Sequence, residues 1–426
     1  MNKLISPVSF FSAMLLFGCS HAAFDRGPAS DPSLVTWIAI GPGGEKIARA
    51  ISLSGDTCPS LTAGTEAVSM QTRAMPTADG RFPGMVCEAP ITPAMSAQPL
   101  SINGKTLAPI SAHPEKILIL GDTGCRVKDQ ASGKVQVQNC NDPKKGWPFA
   151  ELAAAAARLH PDLVIHVGDY HYREAACPAG NGKCAGSPYG DAWDSWNADF
   201  FTPALPLLAA APWIFVRGNH EICSRAQEGF FRFLDPRPLP AACEAVTPPY
   251  SVPFPDFTIA VLDSAAANPT AASVASLSQL SLKNAWLATH RPLWVSAKEA
   301  TTGDDDGDDD DTDLEDAKQL KPVGPVPNVS LVLTGHRHLF RALSFADHRA
   351  QQITAGNGGT ALEGHPSMDS EGTLVDSGST TLTSVDIRVD FGFIMIKRTG
   401  TSWLMEIFDK KAHWVGSRTL DLNPQK

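Results

Sequence analysis

The chain has 426 residues, too many for one ordinary domain, and 43% of them are hydrophobic, enough to bury a sizeable core. Its formal charge of −10 excludes a surface that attracts nucleic acid or another polyanion as a whole, so any phosphate site has to be locally positive.

The first residues carry the pattern of an export signal: Lys3 supplies positive charge, an apolar stretch runs through Phe10, Phe11, Met14, Leu15, Leu16 and Phe17, and small residues follow. We take 1–19 as a signal peptide. Its end, Leu16-Phe17-Gly18-Cys19-Ser20, resembles a lipobox, in which Cys19 would be lipidated and anchor the mature protein to a membrane. The rival reading is ordinary cleavage after Ser20-His21-Ala22, which would leave a soluble periplasmic protein. Both place the protein outside the cytoplasm. The remaining eight cysteines agree, because they fall along the chain as neighbours: Cys58 and Cys87, Cys125 and Cys140, Cys177 and Cys184, Cys223 and Cys243. Four local disulfides are the economical expectation for an exported protein, although eight cysteines leave many pairings open. A zinc–cysteine site is disfavoured because no close C-x-x-C pair occurs.

From 23 to 113 the chain is rich in Ser, Thr, Pro and Gly, with short apolar runs such as Val35-Thr36-Trp37-Ile38-Ala39-Ile40 and Ile47-Ala48-Arg49-Ala50-Ile51. Such runs between turn residues predict a small β domain, a sandwich. After Pro114 the pattern changes. Lys116-Ile117-Leu118-Ile119-Leu120 ends at Gly121-Asp122, and Asp162-Leu163-Val164-Ile165-His166-Val167 ends at Gly168-Asp169. An Ala-rich, helix-favouring stretch from Phe149 to Leu159 lies between them. Trp213-Ile214-Phe215-Val216 leads into Gly218-Asn219, and Ser330-Leu331-Val332-Leu333 into Gly335-His336. Alternating strands and helices predict an α/β layered domain of mixed sheets flanked by helices over 114–426, closed by a hairpin through Phe393-Ile394-Met395-Ile396 and Trp403-Leu404-Met405. An acidic run near 303–316 interrupts it, and such dense like charge reads as a solvent-exposed insertion, with calcium binding a minority alternative.

Asp122, Asp169, Asn219 and His336 each lie just past an apolar strand, where an α/β sheet gathers its ligands. Five signatures occur in order: Gly121-Asp122-Thr123-Gly124, Gly168-Asp169-Tyr170-His171-Tyr172, Gly218-Asn219-His220-Glu221, Leu287-Ala288-Thr289-His290 and Gly335-His336-Arg337-His338. A Gly-Asp after a strand is by itself only a turn, and a single His-x-His is more often structural. Together they offer carboxylate, phenolate, carboxamide and imidazole without thiolate, a set suited to Fe, Zn or Mn. A carboxylate can bridge two ions about 3.5–4 Å apart, the separation that stabilises attacking and leaving oxygens in phosphoryl transfer. Asp169 is the candidate bridge.

At these residues the chain resembles the purple acid phosphatases, a branch of the binuclear metallophosphoesterases, in a bacterial exported form. The family's GDxG, GDxxY, GNHE, VxxH and GHxH signatures match, with Leu287 where valine is usual. The resemblance runs from Lys116 to His338, and the loop Ala355-Gly356-Asn357-Gly358-Gly359 is also similar to the family's. It implies that Asp122, Tyr172 and His338 hold one ion, usually ferric iron, that Asp169 bridges, and that Asn219, His290 and His336 hold a divalent Fe, Zn or Mn ion. A trivalent ion can keep a phenol ionised far below its usual pKa of about 10, so Tyr172 predicts a coloured protein. Five metal charges against the three anionic ligands Asp122, Asp169 and Tyr172 would leave the site cationic, with no need of lysines. The implied activity is hydrolysis of small phosphate monoesters by a hydroxide held at the metals. His220 would face the substrate as a charge stabiliser or leaving-group acid, with Glu221 orienting it. The alternatives are a phosphodiesterase with the same centre and, from another class, a non-catalytic metal- or phosphate-binding lipoprotein. His166, inside an apolar strand, reads as a hydrogen-bonded core histidine, and His171 and Arg337 as either substrate-facing or solvated. Oligomeric state has no signal in the sequence.

Overall fold

In the computed structural model the described residues are 33–130, 132–294, 323–363, 382–420 and 422, with Met1. The leader at 1–19 after Met1, including Cys19, and the acidic run at 303–316 lie outside them. Residues 33–426 make one compact unit.

Two large sheets form its centre. The ten-stranded sheet contains the parallel strands Lys116–Leu120, Leu163–His166 and Trp213–Phe215, and the seven-stranded sheet contains the parallel strands Thr258–Leu262, Ala285–Thr289, Val329–Thr334 and Gln351–Ala355. Side chains alternate across a strand, and here both faces are apolar because both are covered. Ile117 and Ile119 point inward and pack with Ile165, Ile259, Trp286 and Leu331 between the two sheets. Leu118 and Leu120 point outward, into an aromatic layer of Phe149, Phe200, Phe201 and Phe230 supplied by helices. On the far side, Leu262, Leu287 and Val332 meet Val274 of the helix Ala271–Ala275. The layers therefore run helix, sheet, sheet, helix, the expected class. The Ala-rich helix spans Phe149–Ala157, and the C-terminal hairpin Gly392–Thr399 and Ser402–Asp409 adds to the ten-stranded sheet beside Lys116–Leu120.

Strands run from Leu34 onward through the stretch where a small β domain is expected, and they form two layers, one of them shared with the central sheet. Leu34–Ile40, Lys46–Ser52 and Met85–Pro90 extend the ten-stranded sheet, with Leu34–Ile40 pairing in parallel with Trp213–Phe215. The second layer is a separate four-stranded sheet, and Ile38, Ala48, Leu61, Cys87 and Ile102 fill the space between them. This end of the molecule also grips the helix Gln227–Phe233, which closely follows the Gly218-Asn219-His220-Glu221 loop. Arg73 donates to the carbonyls of Phe231 at 2.7 Å, Arg232 at 2.9 Å and Asp235 at 3.0 Å, and Arg49 to that of Phe233 at 2.7 Å. These satisfy the carbonyls that a helix end leaves unpaired. Arg73→Met strips that cap and leaves Glu88 without one of its two arginines. It should destabilise the fold by about 3 kcal/mol, read as a lower urea midpoint, and a loss below about 0.5 kcal/mol would contradict the clamp.

The four disulfides form between neighbours in sequence as expected: Cys58–Cys87, Cys125–Cys140, Cys177–Cys184 and Cys223–Cys243. Such bonds persist in oxidising compartments. Among the described residues no helix is long and apolar enough to cross a membrane.

Candidate metal centre

The strand ends of both sheets open onto one rim. Asp122 follows Lys116–Leu120, Asp169 follows Leu163–His166, Asn219 begins a short 3-10 turn after Trp213–Phe215, His290 directly follows Ala285–Thr289, and His336 and His338 follow Val329–Thr334. Asp122, Asp169 and His336 all have left-handed backbones, with φ of 56°, 61° and 70°. Non-glycine residues adopt that region rarely, and at functional sites it serves to aim side chains. Two of the motif glycines have a direct reason to be there: a Cβ on Gly218 would collide with the Asp169 carboxylate, and one on Gly335 with that of Asp122.

All seven candidate ligands are brought together. The Tyr172 hydroxyl, fully buried, lies 2.8 Å from Asp169 Oδ2, 3.0 Å from His338 Nε2 and 3.3 Å from Asp122 Oδ1. On the other side of Asp169, His290 Nε2 is 3.2 Å from the same Oδ2. Asn219 Oδ1 is 2.8 Å from His290 Nε2 and 3.0 Å from His336 Nδ1. Asp169, His290 and His336 can each offer one ligand atom within 4.8 Å of the others. Asp169 Oδ1 is taken by the backbone N–H of His220 at 2.9 Å, so sharing between the two groups falls to Oδ2.

The chemistry of this donor set fits a cation. His290 Nδ1 is 2.9 Å from the Val167 carbonyl, which can only accept, so Nδ1 carries the proton and Nε2 presents a lone pair. That lone pair, the Asp169 carboxylate and the Asn219 carbonyl then converge with no hydrogen between them. Turning the Asn219 amide over would place its NH2 against Asp169, His290 and His336 and its oxygen 3.2 Å from Arg225, which suits a metal-free pocket. With the oxygen inward, the same atoms are a ligand set. Burial, then the charge of Asp169, pushes the Asp122 carboxyl well above the usual range. Burial also works against the charge on Asp169, yet His290 and His220 hold it well below that range.

The residues around the seven correct one expectation and add others. Glu221 does not orient His220. Its carboxylate accepts the backbone N–H groups of Tyr170 at 2.9 Å, Gly218 at 3.0 Å and Asp169 and His171 at 3.2 Å, joining two ligand loops. Burial and Asp169 push it up to about 8. The orienting carboxylate is Glu174, whose Oε1 is 2.9 Å from His220 Nδ1 and which Arg225 holds through bonds of 2.7 and 3.0 Å. Burial opposes the charge on Glu174, but His220 and Arg225 hold its carboxyl below the usual range. Burial, then Arg225, lowers His220 below the usual imidazole value. Glu363 accepts the N–H of His338 at 2.7 Å and pairs with Arg337 at 2.9 Å, fixing the His-x-His loop.

Guanidinium groups also stand beside the rim, which the sequence signatures do not announce. Arg126 Nη2 is 3.0 Å from His338 Nδ1, Arg225 Nη2 is 2.8 Å from His220 Nδ1, and Arg291 Nη1 is 3.3 Å from His336 Nε2. His166 is the core histidine expected, between Thr123 Oγ1 at 3.0 Å and the Gly168 N–H at 3.3 Å. His171 is buried, with Nε2 3.1 Å from the Gly190 carbonyl, so neither it nor the ion-paired Arg337 is merely solvated.

Two facing sheets whose strand ends gather acidic, amide and imidazole donors around a shared carboxylate define a binuclear metallophosphoesterase, an enzyme that hydrolyses phosphoesters with the help of metal ions. The chain belongs to the calcineurin-like phosphoesterase family, whose model matches residues 115–340. Among solved structures it is similar to a purple acid phosphatase from yellow lupin (Lupinus luteus) seeds, with 15% identity, a TM-score of 0.58, and coverage of 91% of this chain and 74% of that one. A structure of PhoD matches at 10% identity and a TM-score of 0.47, over 91% of this chain and 88% of that one. A dimetal phosphatase from Danio rerio matches at 12% identity and a TM-score of 0.33, over 72% and 99%. A comparison with curated proteins finds no match.

Proposed function

We propose that this chain is a phosphomonoesterase in which Asp122, Tyr172 and His338 hold a ferric ion, Asn219, His290 and His336 hold a divalent Fe, Zn or Mn ion, and Asp169 is common to both. The observation that carries this reading is the position of Asp169 Oδ2, within 2.8 Å of the Tyr172 hydroxyl on one side and 3.2 Å of His290 Nε2 on the other. Two cations so placed supply Lewis acidity and a water acidic enough to act as a nucleophile near neutral pH. The chain's own residues do the rest. His220 Nε2 points toward the shared oxygen, 3.9 Å away, while Nδ1 is fixed by Glu174, so the ring is set to meet a phosphoryl or leaving-group oxygen.

The test compares 4-nitrophenyl phosphate with bis(4-nitrophenyl) phosphate on the purified metal-loaded protein. A kcat/KM at least about tenfold higher on the monoester supports the assignment, a difference of about 1.4 kcal/mol in transition-state binding. A preference for the diester would replace it with a phosphodiesterase on the same centre. We further propose export through the 1–19 leader, with attachment at Cys19. The four disulfides support the oxidising compartment.

A further inference from the structure

Tyr172 is held from behind by a residue that none of the sequence signatures contains. Asp199 sits in the π-helical turn Asn197–Phe201, between the short helices Trp193–Trp196 and Thr202–Leu208, and is completely buried. Single π turns in helical stretches are uncommon and often mark functional sites. Its Oδ2 accepts the backbone N–H of Tyr172 at 2.8 Å and of Arg173 at 3.0 Å. Its Oδ1 accepts the backbone N–H of Cys125 at 3.0 Å and Arg173 Nε at 2.6 Å. Cys125 lies three residues beyond Asp122, and Tyr172 three beyond Asp169. One carboxylate therefore ties together the two loops that carry Tyr172 and two of the three groups around its hydroxyl, Asp122 and Asp169. The other side of the Tyr172 peptide is fixed as well, because its carbonyl accepts from the Val127 N–H at 3.0 Å.

We infer that Asp199 is a positioning residue for Tyr172, setting where the phenol oxygen stands relative to Asp122, Asp169 and His338 and so how tightly the first ion is held. The inference rests on the reading of Tyr172 as a ligand. With four N–H groups converging on it, the carboxylate has no lone pair directed at the centre, so Asp199 acts through Tyr172 and through the Asp122 loop. Asparagine cannot replace it. Whichever way the amide turns, its NH2 faces two N–H groups, either those of Tyr172 and Arg173 or those of Cys125 and the Arg173 side chain, and one arm of the tie is lost.

The experiment loads wild type, Asp199→Asn and the Arg73→Met control with Fe(III) and Zn(II), confirms folding by circular dichroism, and records the visible spectrum and the iron retained against a ferric chelator. The wild type should show a phenolate-to-iron band. Asp199→Asn should keep zinc, shift or weaken that band, and hold iron roughly 10- to 100-fold less tightly, the usual cost of removing a group that orients a ligand. Arg73→Met, which weakens the fold elsewhere, should leave band and iron affinity unchanged. If Asp199→Asn does not fold, Arg173→Lys, which removes the Nε bond and lets the carboxylate turn, is measured instead and should move the band in the same way. A coloured wild type with an unmoved band and unchanged iron retention in the variant overturns the role of Asp199 alone, as does an equal shift in Arg73→Met. A colourless wild type carrying both ions overturns the ligation by Tyr172 and this inference with it.

Discussion

Asp169→Asn should strip the protein of most of its metal and lower kcat/KM by more than about 10³-fold, the largest effect expected of any single substitution. The reason is that Asp169 has one oxygen already committed. Oδ1 receives the His220 N–H, and only Oδ2 reaches both the Tyr172 and the His290 side of the pocket. An asparagine could keep its oxygen on the His220 N–H, but its NH2 would then point at the Tyr172 hydroxyl and at the lone pair of His290, repelling a cation from both sides. With the amide reversed, the carbonyl oxygen reaches the pocket without its charge and the NH2 opposes the His220 N–H. Elemental analysis after dialysis should find fewer than one ion per chain against two in the wild type. Retention of two would mean that the shared oxygen is not what holds the pair.

His220→Ala should do nearly the opposite, leaving the metals in place while lowering kcat by about 10²- to 10⁴-fold. The bond that His220 makes to Asp169 Oδ1 comes from its backbone N–H, which alanine retains, and its ring is hydrogen-bonded to Glu174, touching the candidate ligands by packing on the Tyr172 ring at 3.7 Å between centroids. Removing the ring takes away a hydrogen-bonding group near the reacting phosphate and a packing contact of Tyr172, but no candidate ligand atom. Glu174→Gln should fall between wild type and His220→Ala in kcat with KM little changed, because it disturbs the ring's tautomer and angle and not the substrate's anchoring. Loss of metal in His220→Ala would contradict this separation of roles.

The layered fold and the rim of candidate ligands were legible in the sequence for one physical reason. A buried parallel strand needs an unbroken apolar run, and the turn that follows it has to stand at the sheet's edge, so the polar residues after the turn glycines, Asp122, Asp169, Asn219 and His336, announce their positions. The pairing of the cysteines was legible because each partner is near in sequence. What could not be read is whatever acts through backbone N–H groups from afar. Glu221, Asp199 and Glu363 hold ligand loops across separations of up to 74 residues, and an acidic residue in a helix or loop carries no mark of that work. Adjacency in sequence points from His220 to Glu221, whereas Glu221 turns back toward the 168–171 loop and Glu174, distant in sequence, reaches the imidazole. The arginines at the rim were not legible because arginine has no pattern that separates a cleft wall from a solvated surface. The N-terminal strands were recognised as β structure, but a short apolar run specifies a strand and not its neighbour, so the sharing of the central sheet had no signal.

The most direct test of the two-ion centre is anomalous diffraction from crystals of the metal-loaded protein, recorded at the iron edge and at the edge of the divalent metal. The expected map has two peaks about 3.5–4 Å apart on either side of Asp169, with Tyr172 against the iron peak and Asn219 against the other. A single peak, or two peaks at separate sites with no shared contact to Asp169, would contradict it.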